Sequence, residues 1–202
     1  MHRSLGLSVL FVACAPQLVL PPVPTEPAWR EPAAAAVEVP WPAAGAPPIR
    51  VDYDARSSLT RYAVTTHAGA YTGWRARPQL TFFAVTPGSA PPTQPPAHIG
   101  LVFRTLEPEA VLGSRLVLSC PDAVDSIGLP IASTVTSTGN TRSHFLTYQI
   151  SSAHVAAFAA CSEGTLAIAQ IRVTFTVTQL SGLRALLLRL GATPPSGVQP
   201  RS

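Results

Sequence analysis

From Ile49 onward the chain is written in short stretches where apolar and polar residues alternate with a period of two, and that period commits it to β-structure. In His98 to Thr105 the residues Ile99, Leu101 and Phe103 share one face. In Ser143 to Ile150 the set is Leu146, Tyr148 and Ile150. One apolar and one polar face per strand is the pattern of antiparallel sheets packed on a single core. Strands are expected at Arg50 to Tyr53, Leu59 to Thr66, Gln79 to Val85, His98 to Thr105, Arg115 to Cys120, Ile131 to Thr138, Ser143 to Ile150 and Thr165 to Val177. Gly139-Asn140 between Thr-rich stretches predicts a hairpin joining Ile131–Thr138 to Ser143–Ile150.

The longest stretch breaks its own period. Leu166 and Ile168 lie on even positions, Ile171, Val173, Phe175 and Val177 on odd ones. A regular strand would send half of this set to solvent, so either a β-bulge near Gln170 or a division into two shorter strands is required. Two segments change to helical spacing. Ser151-Ser152 caps a helix with Val155, Phe158 and Ala159 inward. Thr178 caps a second, in which Leu180, Leu183, Leu187 and Leu190 form a stripe that ends at Gly191 and Pro194. The stripe is expected to cover an open end or face of the sheet. Presentation of Leu186 to Leu188 to a membrane or partner is the weaker reading. The fold class is therefore mainly β: an antiparallel β-sandwich-like domain with two short α-helices at about 152–161 and 179–190.

Proline sets the limits of that domain. Ten prolines fall between Pro16 and Pro48, too many missing N–H groups for a helix or a sheet ladder. Extended as polyproline II at about 3.1 Å per residue, this segment spans roughly 100 Å and serves as a tether. Trp29 and Trp41 within it are candidates to dock, against the plainer reading of aromatics in a solvated spacer. The expected organisation is a signal peptide at 1–13, a tether at 14–48, a globular domain at 49–191 and a disordered tail at 192–202. The Pro-rich loop Pro87 to Pro96 is either a recognition element or a variable surface loop.

The first fourteen residues, MHRSLGLSVLFVAC, place one basic residue, Arg3, before an uncharged run that is too short to span a bilayer. Phe11-Val12-Ala13-Cys14 resembles a bacterial lipobox, with small Ala13 before the cut and Phe11 where that motif prefers Leu. The resemblance implies diacylglycerol on Cys14 and a lipid anchor in a membrane. It also implies residence in the outer membrane of an organism that has one, because Ala15 stands where Asp would favour inner-membrane retention. Lipobox, Pro-rich tether and β-rich domain together look like many bacterial envelope lipoproteins, whose roles are envelope assembly, surface display or ligand binding. An envelope protein is the partner that this likeness implies. Ala13-Cys14-Ala15 also fits ordinary secretory cleavage, which leaves a soluble secreted β-domain open.

With Cys14 lipidated, Cys120 and Cys161 remain as a pair that an oxidising compartment would join. Two unrelated buried thiols are the other possibility. The net charge of +4 comes entirely from scattered arginines, since there is no lysine, and no basic cluster of the kind that binds nucleic acid is present. No metal or cofactor motif is found, nor a nucleophile elbow or a P-loop. His144 and His154 have no acidic residue at ligand spacing. Asp52 and Asp54 share a strand face and would bind a cation only if Asp122 and Asp125 met them; turn formation is their ordinary role. Ser57, Ser58 and Thr60 have no evident base. The expected function is non-enzymatic binding or a structural role in the envelope. An envelope hydrolase built around His67, His98 or His144 is the rival.

Overall fold

The computed structural model describes residues 38–67, 70–72, 78–106, 113–138 and 141–194. The signal segment, Cys14, Trp29, Gly139-Asn140 and the tail beyond Pro194 lie outside the described residues.

Two antiparallel sheets build the domain. The first has six strands in the order β1 (Ile49–Asp54), β2 (Leu59–His67), β4 (Gln79–Pro87), β5 (His98–Thr105), β9 (Thr141–Ser151) and β8 (Ala132–Thr138). The second has five, β3 (Ala70–Thr72), β11 (Ile171–Phe175), β10 (Gly164–Ile168), β6 (Leu116–Cys120) and β7 (Ala123–Gly128). The alternation in sequence becomes the core. Tyr62, Leu80, Phe82, Leu101, Phe103, Leu146 and Tyr148 from the first sheet join Leu116, Leu166, Ile171, Val173 and Phe175 from the second in one buried cluster. Phe175 is the hinge of that contact, edge-on to Phe82 at 6.3 Å and to Phe158 at 5.4 Å between centroids. The whole is a β-sandwich-like domain with two helices.

The phase change in Thr165–Val177 is resolved by two strands. Ile168 pairs with Ile171 and Gly164 with Phe175, so Ala169-Gln170 is a two-residue turn and no bulge is needed. An even residue in β10 then faces the same side as its odd partner in β11. Ala169 adopts φ +52°, the left-handed region that such turns require. Because Ala-Gln is not the dipeptide ordinarily found there, the sequence carries no turn signal. Strands β3 and β7 also escape the period-two reading, β3 for its three residues and β7 for its exposed apolar Val124. The β8–β9 hairpin forms as expected, with Thr138 opposite Thr141.

Helix α1 (Ser152–Ala160) starts at Ser151, whose hydroxyl accepts the His154 N–H at 3.2 Å, and it buries Val155, Phe158 and Ala159. Helix α2 (Val177–Arg189) starts two residues earlier than the leucine stripe suggests, at Thr176 rather than Thr178. The Gln179 side chain decides this. Its oxygen accepts the Thr176 N–H at 2.8 Å, and its amide nitrogen donates to the carbonyl of His67 at the end of β2. Leu186 and Leu187 are fully buried, so the stripe is core and does not present itself to a membrane.

The tether and tail boundaries need correcting. Val39 is fully buried, its N–H bonds Thr193 O at 3.1 Å, and Ala43 N–H bonds Ser181 Oγ at 3.0 Å. Pro47 packs against Gly182 of α2. The domain thus takes in residues 38–48 and 192–194: the end of the Pro-rich segment buries Val39, lays Pro47 beside Gly182 and Val64, and donates through the Val39 and Ala43 N–H groups. Trp41 stays more than a third exposed.

Candidate binding face

Strands whose inward residues fill the core present the alternate residues outward. On the six-stranded sheet the outward set includes Arg50 and Asp52 on β1, Arg61 and Thr65 on β2, and Thr81, Phe83 and Val85 on β4. Val102 and Arg104 on β5 and Phe145 on β9 continue it. Among the described residues the two helices pack from the core side: α2 contacts β2, β1 and β11, and α1 contacts β9, β5, β6 and α2. Two arginines organise the face. The Arg61 guanidinium sits 4.9 Å from the centre of the Phe83 ring, and that of Arg104 sits 5.8 Å from Phe145. Gly100 makes room for the first pair, since a Cβ there would lie 2.4 Å from the Phe83 ring. Arg104 also donates to Ser143 Oγ at 3.2 Å and Gln79 Oε1 at 3.4 Å, which fixes it in the plane of the sheet.

At the β1 end this face sinks into a shallow depression of about 410 Å³ bordered by Pro48, Arg50, Asp52, Arg61, Thr65 and Thr81. Asp52 pairs with Arg50 at 2.7 Å there. Arginine, aromatic and threonine side chains on a sheet face can stack on planar or sugar-like groups and donate to anionic or hydroxyl oxygens. Comparison with protein-family models, curated proteins and solved structures finds no match to this chain.

The residues singled out from sequence are placed as follows. Cys120, at the end of β6, is bonded to Cys161, the residue closing α1, with 6.1 Å between Cα atoms. The four aspartates are not brought together. Asp54 is a turn former whose carboxylate accepts the Arg56 N–H at 2.9 Å and the Ser57 hydroxyl at 2.8 Å; these bonds, the Ser57 hydroxyl foremost, hold its pKa below the ordinary value. Asp122 and Asp125 border a second hollow of about 300 Å³ beside the disulfide. Among the described residues no three metal-ligating side chains converge.

The histidines are scattered too. His67 ends β2 and His144 lies within β9 opposite Thr105, with β4 and β5 between the two strands, and His98 lies at the opposite end of β5. His154 Nδ1 is 2.7 Å from its own cap, Ser151 Oγ. His144 is buried, with neither ring nitrogen hydrogen-bonded. The Pro-rich loop is anchored at its ends, where Gly88 N–H bonds Ser58 O at 2.8 Å, Pro95 is buried and Ser152 N–H bonds the neighbouring Ala97 O at 2.9 Å, while residues 87–91 are exposed.

Sequence reasoning did not single out Arg61, Phe83, Arg104 or Phe145. A signal was present: in QLTFFAVTP the apolar residues occupy both phases, Leu80-Phe82-Ala84 inward and Phe83-Val85 outward. A strand of a one-sided sheet has no need for the second set.

Proposed function

We propose that this chain is a lipid-anchored extracytoplasmic protein with a non-enzymatic binding or structural role in the cell envelope, and that it binds through the outer face of its six-stranded sheet. The observation that carries the reading is the cysteine usage. Cys120 and Cys161 form a disulfide, a bond that persists in oxidising compartments, and the remaining cysteine closes a lipobox-like segment. The outward Arg61/Phe83 and Arg104/Phe145 pairs supply the binding chemistry.

The deciding experiment is the intact mass of the protein from its native membrane fraction, with and without reduction. A chain beginning at Cys14 with added acyl mass, gaining about two daltons when one disulfide opens, is the expected result. A chain cut nearby and free of acyl groups would mean a secreted soluble domain. A chain beginning at Met1 with three free thiols would overturn the export argument.

A further inference from the structure

A β-sheet edge offers unpaired N–H and C=O groups to any other strand, and proteins blunt their edges with charge, proline, bulges or brevity. Among the described strands, three of the four sheet edges are blunted. Strand β1 carries Arg50, Asp52 and Asp54, β3 has three residues, and β7 carries Asp125 and a register shift at its pairing with β6. Strand β8, Ala132-Ser133-Thr134-Val135-Thr136-Ser137-Thr138, has none of these devices. It ends the six-stranded order, is in unbroken register with β9 over all seven residues, and is exposed on both faces. Among the described residues no strand lies beyond it.

The sequence of this edge also reads the same in both directions: Ser133-Thr134-Val135-Thr136-Ser137 is symmetric about Val135. A twofold axis through Val135 sets two antiparallel copies with Val135 opposite Val135, Thr134 opposite Thr136 and Ser133 opposite Ser137. These are Thr–Thr and β-branched cross-strand pairs, with no charge opposed to a like charge. Leu129 and Ile131, leading into the strand, are 59% and 64% exposed, and Val135 is 53% exposed, so a strand alongside removes apolar surface from water. We propose that two copies of this chain pair through β8 about a twofold axis at Val135, joining their six-stranded sheets into one sheet of twelve. A single strand pair buries less than an ordinary stable interface, so the dimer is weak in solution and is favoured where copies are concentrated on a surface.

The test is sedimentation of the full chain over a concentration series to about 1 mM, a range suited to an interface of this size. The wild type is expected to approach twice the chain mass, and Val135→Lys to weaken association at least about tenfold by opposing two ammonium groups across the axis. Thr136→Lys, on the other face of the strand, repeats the test if Val135→Lys folds poorly. Val51→Lys on the β1 edge leaves the dimer unchanged. A wild type that stays monomeric throughout, or a dimer that Val51→Lys weakens as much as Val135→Lys, overturns the proposal.

Discussion

Tyr148 is the residue where burial and chemistry meet most directly. Its ring is fully buried in the core, and its hydroxyl donates to Ser114 O at 3.0 Å. Loss of water around the phenol pushes its pKa up to about 12 from an ordinary 10. The folded state thus holds the proton more tightly than the unfolded chain, and the stability this gives is whole below pH 10 and is lost as pH rises toward 12. Denaturant titrations between pH 9 and 12 are expected to show the midpoint falling in that window, and Tyr148→Phe to flatten the fall. At neutral pH the same variant costs about 1 kcal/mol for the lost hydrogen bond. Arg184 answers the same problem with carbonyls. Buried on α2, it donates to Ala159 O at 2.6 Å and Cys161 O at 3.0 Å, the unpaired C-terminal carbonyls of α1, and burial holds its pKa below the ordinary value. Glycine decides two further positions. A Cβ on buried Gly164 would lie 2.5 Å from the buried Phe158 ring, and one on Gly191, at φ +92° after α2, would lie 2.5 Å from Gln94 N.

At the scale of elements, α2 is held less by its own propensity than by what its first turn reaches. Gln179 bonds the Thr176 backbone and the His67 carbonyl, so a single side chain starts the helix and ties it to β2. Gln179→Ala is expected to destabilise by about 1 to 2 kcal/mol, since the cap and a cross-element bond go together. Gln179→Glu restores the cap oxygen but not the donor to His67, so unfolding measurements should place it between wild type and alanine. The leucine stripe of α2 and the Ser151 cap of α1 were both legible in sequence because helical spacing and capping act within a few residues. The leucine stripe points to Thr178 as the cap, whereas Thr176 and Gln179, three residues apart, form the capping box that sets the start, a local signal lying outside the stripe.

Across the whole molecule, the disulfide fastens α1 to the end of β6 over 41 residues of chain. Opening it releases about 4 kcal/mol of unfolded-state entropy in the chain-entropy model. Chemical denaturation of the reduced protein, or of Cys120→Ser/Cys161→Ser, is expected to show that loss with the strand content unchanged by circular dichroism. A transition that ignores reductant would mean the bond constrains nothing. On its own, the sequence determined the class of fold, the position of most strands and both helices, the hairpin of β8 and β9, and the two cysteines available to pair. Those depend on alternation, spacing and caps, interactions spanning a few residues, which every local stretch of chain displays. Only the tertiary structure decided that Val39 belongs to the core, that Ala169-Gln170 turns a strand back on itself, and that Arg61, Phe83, Arg104 and Phe145 share one outward face. Each depends on which distant segments lie side by side, and sheet pairing brings together residues whose separation in sequence carries no periodic mark.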